Sequence, residues 1–93
     1  MKINGEFILR QIADETILVP VGQTALKFNG LITLTPVSRF IWSCLEQNMS
    51  RAQILEEILG EYDVDRNTAE ADLDEFLAGL IQWDLLIRED DSP

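Results

Sequence analysis

Cys44 is the single cysteine of a 93-residue chain that contains no histidine. A thiol becomes a useful nucleophile when a base or cationic neighbour lowers its pKa. Without His there is no Ser-His-Asp triad, no Cys-His pair and no imidazole metal ligand. Cys44 also sits on the apolar stripe of a helical segment, where a free thiol is commonly inert core. One cysteine permits neither an internal disulfide nor a Cys-x-x-Cys pair. It fits a reducing compartment, and the expected location is the cytoplasm.

Carboxylates are the other abundant reactive groups. Asp63-Val64-Asp65-Arg66-Asn67 copies the first three ligand positions of a calcium loop. The sixth position should be Gly and is Thr68, and the twelfth should be Glu and is Asp74. The same residue types cap helices, so the segment reads as a turn with a cap. Glu56, Glu57, Glu61, Glu70, Asp74 and Glu75 could be offered as acid–base pairs, but they fall on the polar faces of two helical segments. Nothing in their spacing brings two of them into an apolar cleft, as pKa tuning requires. No glycine-rich phosphate loop is present. The expectation is therefore a non-enzymatic protein with no catalytic residue, no metal and no cofactor.

The chain carries seven Lys+Arg against seventeen Asp+Glu, a formal charge of −10. The excess is local: residues 56–93 hold two bases and thirteen acids, whereas residues 1–34 are neutral. Nucleic acid is bound mainly through Lys and Arg on phosphate, so no nucleic-acid partner is expected. The longest apolar run, Ile17 to Val21, is interrupted by Pro20, which excludes a membrane span. The first residues, Met1-Lys2-Ile3-Asn4-Gly5-Glu6, lack the apolar region of an export signal.

These residues must be positioned by a small scaffold. At roughly 100–200 residues per domain, the length gives one domain over residues 1–93, ordered over about 6–88 with a frayed tail at 89–93. Phe7–Ile12 and Thr16–Val19 read as strands with a turn at Asp14-Glu15, and Pro20 and Gly22 end the second. Ala25–Phe28 and Leu31–Leu34 flank Asn29-Gly30, which predicts a two-residue hairpin pairing Phe28 with Leu31.

Three helices are expected to follow. Thr35 suits an N-cap and Pro36 the first helical position. Val37, Phe40, Ile41, Cys44 and Leu45 then form one stripe. Ser50-Arg51-Ala52-Gln53 is a capping box, with Met49 and Ile54 as its hydrophobic staple. Ile54, Leu55, Ile58, Leu59 and Tyr62 continue that second helix, and Gly60 favours an early end. The third starts at Asp65 or Asn67 and runs to about Trp83. Its apolar residues Ala69, Leu73, Phe76, Leu77, Leu80 and Ile81 spread over an arc wider than one neighbouring helix needs. Trp42 lies off the first stripe and Trp83 late in the third helix; each either finishes the core or contacts a partner. Leu85-Leu86-Ile87 could add a short strand. The fold class is α+β: a small N-terminal antiparallel sheet of three to four short strands followed by three helices, winged helix-turn-helix-like.

Leu34-Thr35-Pro36-Val37-Ser38-Arg39-Phe40-Ile41-Trp42 resembles the Leu-Asn-x-x-Gly-x-x-Ile-Trp signature of the PqqD family. Tyr62–Asp65, Glu70–Leu77 and Leu80–Leu86 resemble the downstream pattern, so the resemblance spans about residues 6–88. Thr35 stands for the usual Asn, Ser38 for a Gly, and Asp84 where a Gly often closes the helix. The resemblance implies a precursor-peptide recognition element. Such a domain binds the leader of a ribosomally made precursor peptide as an added strand and presents it to a modifying enzyme, often of the radical-SAM type. By that resemblance the edge would be Leu31, Ile32, Thr33 and Leu34. The pocket wall would be Ala69, Leu73, Phe76, Leu77 and Leu80, with Asp72, Asp74 or Glu75 pairing with a base on the leader. The competing readings are a winged-helix DNA-binding module and a structural dimerisation module whose open edge makes a homodimer.

Overall fold

The computed structural model describes residues 1–28 and 30–88. Their order is β1 (Lys2–Ile3), β2 (Phe7–Ile12), β3 (Glu15–Pro20), α1 (Gln23–Lys27), β4 (Ile32–Leu34), α2 (Pro36–Glu46), α3 (Arg51–Glu61), α4 (Arg66–Gln82) and β5 (Leu86–Ile87). The α+β class holds: an antiparallel sheet precedes a run of helices.

The main sheet has the order β2-β3-β4, antiparallel throughout. β2 and β3 form the expected hairpin across Ala13-Asp14, with Ala13 at φ 55°. β3 is central, and its alternation turns Thr16 and Leu18 inward. The Thr16 hydroxyl donates to Gln11 Oε1 at 3.0 Å, which satisfies the one buried polar side chain among the described residues.

The hairpin expected across Asn29-Gly30 does not form. Residues Gln23–Lys27 are a short helix, and β4 pairs instead with β3, matching Thr16 with Leu34, Ile17 with Thr33 and Leu18 with Ile32. The physical reason lies in Gln23, Ala25, Leu26 and Lys27, which are good helix formers. No sheet face covers Leu26, which is 81% exposed. Leu31, expected in the strand, lies just before it and is 64% exposed. Asn29 itself and the tail at 89–93 lie outside the described residues.

The caps of α2 and α3 are those read from the sequence, and α4 uses the first of its two candidates, Asp65 rather than Asn67. Thr35 accepts from the Ser38 N–H at 3.0 Å, and Ser50 and Gln53 make the reciprocal capping box. Asp65 is the cap of α4, accepting from the Thr68 N–H at 2.7 Å. That bond, together with a weaker one from Asn67, holds its carboxyl below the usual aspartate range. The would-be calcium loop thus spends its central carboxylate on starting a helix. Arg66, the base at the head of α4, is taken up by Glu56 at 3.0 Å.

Leu18, Ile41, Trp42, Leu45, Ile54, Ile58, Leu73 and Leu86 are almost completely enclosed where the inner sheet face meets α2, α3 and α4. Each large apolar side chain withdrawn from water contributes about 1.5–3 kcal/mol. Trp42 is part of this core, only 1% exposed. It stands edge-on to Phe7 at 5.5 Å, and its Nε1–H donates to Glu46. Cys44 is buried beside it. Burial, and secondarily the charge of Glu57, pushes the thiol pKa up, away from a reactive thiolate.

The sequence reading did not include β1. It pairs antiparallel with β5, Lys2 opposite Ile87 and Ile3 opposite Leu86, in a separate two-stranded ribbon. The Asn4 N–H and Nδ2 reinforce it by donating to the carbonyls of Leu85 and Asp84.

Candidate peptide-binding groove

β4 is an edge strand, since β3 is its only neighbour among the described residues. Its open side offers backbone N–H and C=O groups to an incoming chain. In an antiparallel pair, residues alternate between hydrogen-bonded and non-hydrogen-bonded positions. Ile32 and Leu34 therefore belong to one class and Thr33 to the other. One class bonds inward to β3 while the other points out from the edge.

Beside β4 lies a groove of about 490 Å³. Ile32 and Thr35 line it at the strand, and Val37, Ser38 and Ile41 extend that side along α2. The opposite wall is α4, through Asp72, Glu75, Phe76, Gly79 and Leu80, with Trp83 at the end. The α4 residues recur at spacings of three and four, one continuous stripe along the helix. They overlap only at Leu80 with the stripe of Ala69, Leu73, Leu77 and Leu80 that α4 buries in the core. The broad apolar arc is thus two surfaces: a deep one that holds the helix down, and a shallower one that faces the groove.

Trp83 is 62% exposed and stands edge-on to Phe28, ring centres 5.9 Å apart. Phe28 precedes β4 and Trp83 follows α4, so the start of the strand and the end of the helix share one end of the groove. Gly79 leaves its wall open, because a Cβ placed there would meet nothing within 4 Å.

The polar lining is acidic. Asp72 and Glu75 are the charged lining residues, and both are exposed. Asp74 is placed elsewhere: Arg51 grips it through Nε and one terminal nitrogen at 2.7 and 2.9 Å, tying α3 to α4. That guanidinium holds the Asp74 carboxyl below the usual range.

Of the residues named from the sequence, Ile32, Asp72, Glu75, Phe76 and Leu80 line the groove. Thr33 is exposed on the bordering strand and Leu31 is exposed just ahead of it. Leu34, Ala69, Leu73 and Leu77 are core residues that lie behind the groove rather than on it. The sequence reading missed Thr35, Val37, Ser38, Ile41 and Gly79 as lining. The recurrence of 72, 75, 76, 79, 80 and 83 was a visible signal for the α4 wall. The contribution of α2 had no such signal, since Val37 and Ile41 read only as core.

No helix among the described residues is long and apolar enough to cross a membrane. The sequence model of Coenzyme PQQ synthesis protein D (PqqD) matches residues 15–86. A comparison with curated proteins gives no match. Among solved structures, TbiB1 in complex with the TbiA(beta) leader peptide is similar to this chain. The two share 34% sequence identity and a TM-score of 0.74, over 98% of this chain and 100% of that one. Fold, signature residues and family match agree, and the chain belongs to the PqqD family.

Proposed function

We propose that this protein is a non-enzymatic recognition element for the leader of a ribosomally made precursor peptide. The leader adds as a strand to the open edge of β4, and its side chains reach into the groove walled by α4. Backbone hydrogen bonds supply affinity that does not depend on sequence, and the groove supplies selection. The protein then holds the leader for a modifying enzyme, for which a radical-SAM protein is the partner we favour. The observation that carries this reading is the juxtaposition of an unpaired strand edge with an apolar groove, in a chain whose structural relative was solved with a leader peptide bound.

Leader-type peptides should bind with roughly micromolar affinity or better, about −8 kcal/mol. A proline scan tests the mode. Proline lacks an N–H, so it costs peptide affinity where the native N–H points outward and sheet stability where it points to β3. Ile32→Pro and Thr33→Pro should therefore fail differently, one in the melting curve and the other in the binding curve. Equal, unimpaired binding by both folded variants would refute strand addition at β4.

A further inference from the structure

The two ends of the groove differ in chemistry, and this fixes what kind of peptide fits. Asp72 and Glu75 straddle the middle of α4 and form the N-terminal end of its groove wall, exposed, with no ion pair to a described residue. No Lys or Arg lines the groove. The far end carries Trp83, backed by its edge contact with Phe28. Between them Gly79 leaves the wall open. The groove is thus an apolar slot with an uncompensated negative charge at one end only.

Along α4, the midpoint of Asp72 and Glu75 lies about 14 Å from Trp83, at 1.5 Å per residue. An extended chain covers that distance in about four residues. Residues four apart in a strand also point to the same face. A peptide lying on β4 can therefore place one side chain against the carboxylates and another against Trp83, both turned toward α4.

Resting on the proposal that a leader adds to β4, we infer that the preferred leader carries a Lys or Arg four residues from a large apolar or aromatic side chain. The base sits between Asp72 and Glu75, and the apolar residue packs on Trp83. β4 begins at the Trp83 end of the groove, so antiparallel addition puts the base on the N-terminal side: Lys/Arg-x-x-x-aromatic. The net negative charge of residues 56–88 draws such a peptide in before it docks.

The test is a positional-scanning array of nonapeptides of unbiased composition, probed with three folded forms: the wild type, a variant carrying Asp72→Lys and Glu75→Lys, and Gly79→Leu. Both reversed positions are exposed, and circular dichroism checks that the helix content is retained. We expect the wild type to enrich Lys or Arg paired at four residues with Trp, Phe, Tyr or Leu. Neutralising the base in a selected peptide should weaken binding about fivefold at low salt and less at high salt. The reversed variant should shift the preference at that position to Asp or Glu while keeping the apolar preference. Wild-type selection with no basic preference, or at another spacing, overturns this inference and leaves strand addition standing. Binding indifferent to Gly79→Leu overturns placement of the peptide in the groove and this inference with it, and failure to select any peptide overturns the strand-addition proposal as well.

Discussion

Replacing Gly79 should stabilise the protein and cripple peptide binding at once. Gly79 begins the last turn of the 17-residue α4, three residues before its end. Glycine in a helix interior is about 1 kcal/mol less favourable than alanine, because the unfolded chain has more freedom to lose. A Cβ there meets nothing within 4 Å, so Gly79→Ala should realise that gain up to the discount for a position in the last turn. For a domain of this size, about 1 kcal/mol corresponds to roughly 4–8 °C in melting temperature. Leucine has nearly the same helix propensity, so Gly79→Leu should also melt higher than the wild type. Its side chain, however, projects into the groove and takes the space of a ligand side chain. Excluding one large apolar group from burial costs about 1.5–3 kcal/mol, or roughly ten- to a hundredfold in Kd. Gly60 supplies the control: it lies in α3, a Cβ there also meets nothing, and it does not line the groove. Gly60→Ala should raise stability, by less because it is nearer its helix end, and leave binding unchanged. The measurements are thermal melts by circular dichroism and fluorescence anisotropy with a labelled nonapeptide selected on the array. Wild-type affinity in folded Gly79→Leu would refute the placement of the ligand. A lower melting temperature in Gly79→Ala would refute the reading of open space at that wall.

The two tryptophans report from opposite environments, so a bound peptide should blue-shift emission in the wild type and in a Trp42→Phe variant, but not in Trp83→Ala; a shift that survives loss of Trp83 would contradict contact at that end. Trp83→Ala should cost little stability, since its edge contact with Phe28 is worth about 0.5–1.5 kcal/mol. Cys44 should resist thiol reagents in the native state and react at the rate of unfolding, which a stopped reaction at increasing urea would follow; prompt labelling without urea would contradict its burial. Asp74 has a folded-state pKa below its ordinary value, so the stability it contributes is complete above about pH 4 and is lost as pH falls through the lower folded-state value. The stability gap between wild type and Asp74→Asn, within about 1 kcal/mol for so exposed a pair, should therefore close on acidification; a gap that widens from pH 5 to pH 3 would contradict the Arg51 pairing.

Local chemistry explains which parts of the architecture were legible in the sequence. Thr35-Pro36, Ser50–Gln53 and Asp65 each announce a helix start through a side-chain oxygen and three residues of spacing, and each forms the bond it implies. The β2–β3 hairpin is legible for a similar reason, two β-rich runs separated by a short polar turn. The segment at 23–31 was misread because Asn29-Gly30 outweighed the helix preference of Gln23–Lys27. Pairing of β4 with β3 is a non-local choice that no dipeptide encodes. β1 escaped notice because two residues carry no period, and its partner lies at the other end of the chain. The groove was half legible. Spacing along one helix places Asp72, Phe76 and Leu80 together, whereas the contribution of α2 depends on a packing angle that the sequence does not state.

The ribbon of β1 and β5 has a consequence for how such a domain can be joined to other polypeptides. Lys2 and Ile87 are neighbours across it, and the nearby depression bounded by Leu77, Ala78, Ile81 and Arg88 lies on the reverse of α4 from Asp72, Phe76 and Gly79. A polypeptide joined next to Lys2 or Arg88 would therefore approach from the side of α4 turned away from the groove, and the space over β4 would stay clear of the junction.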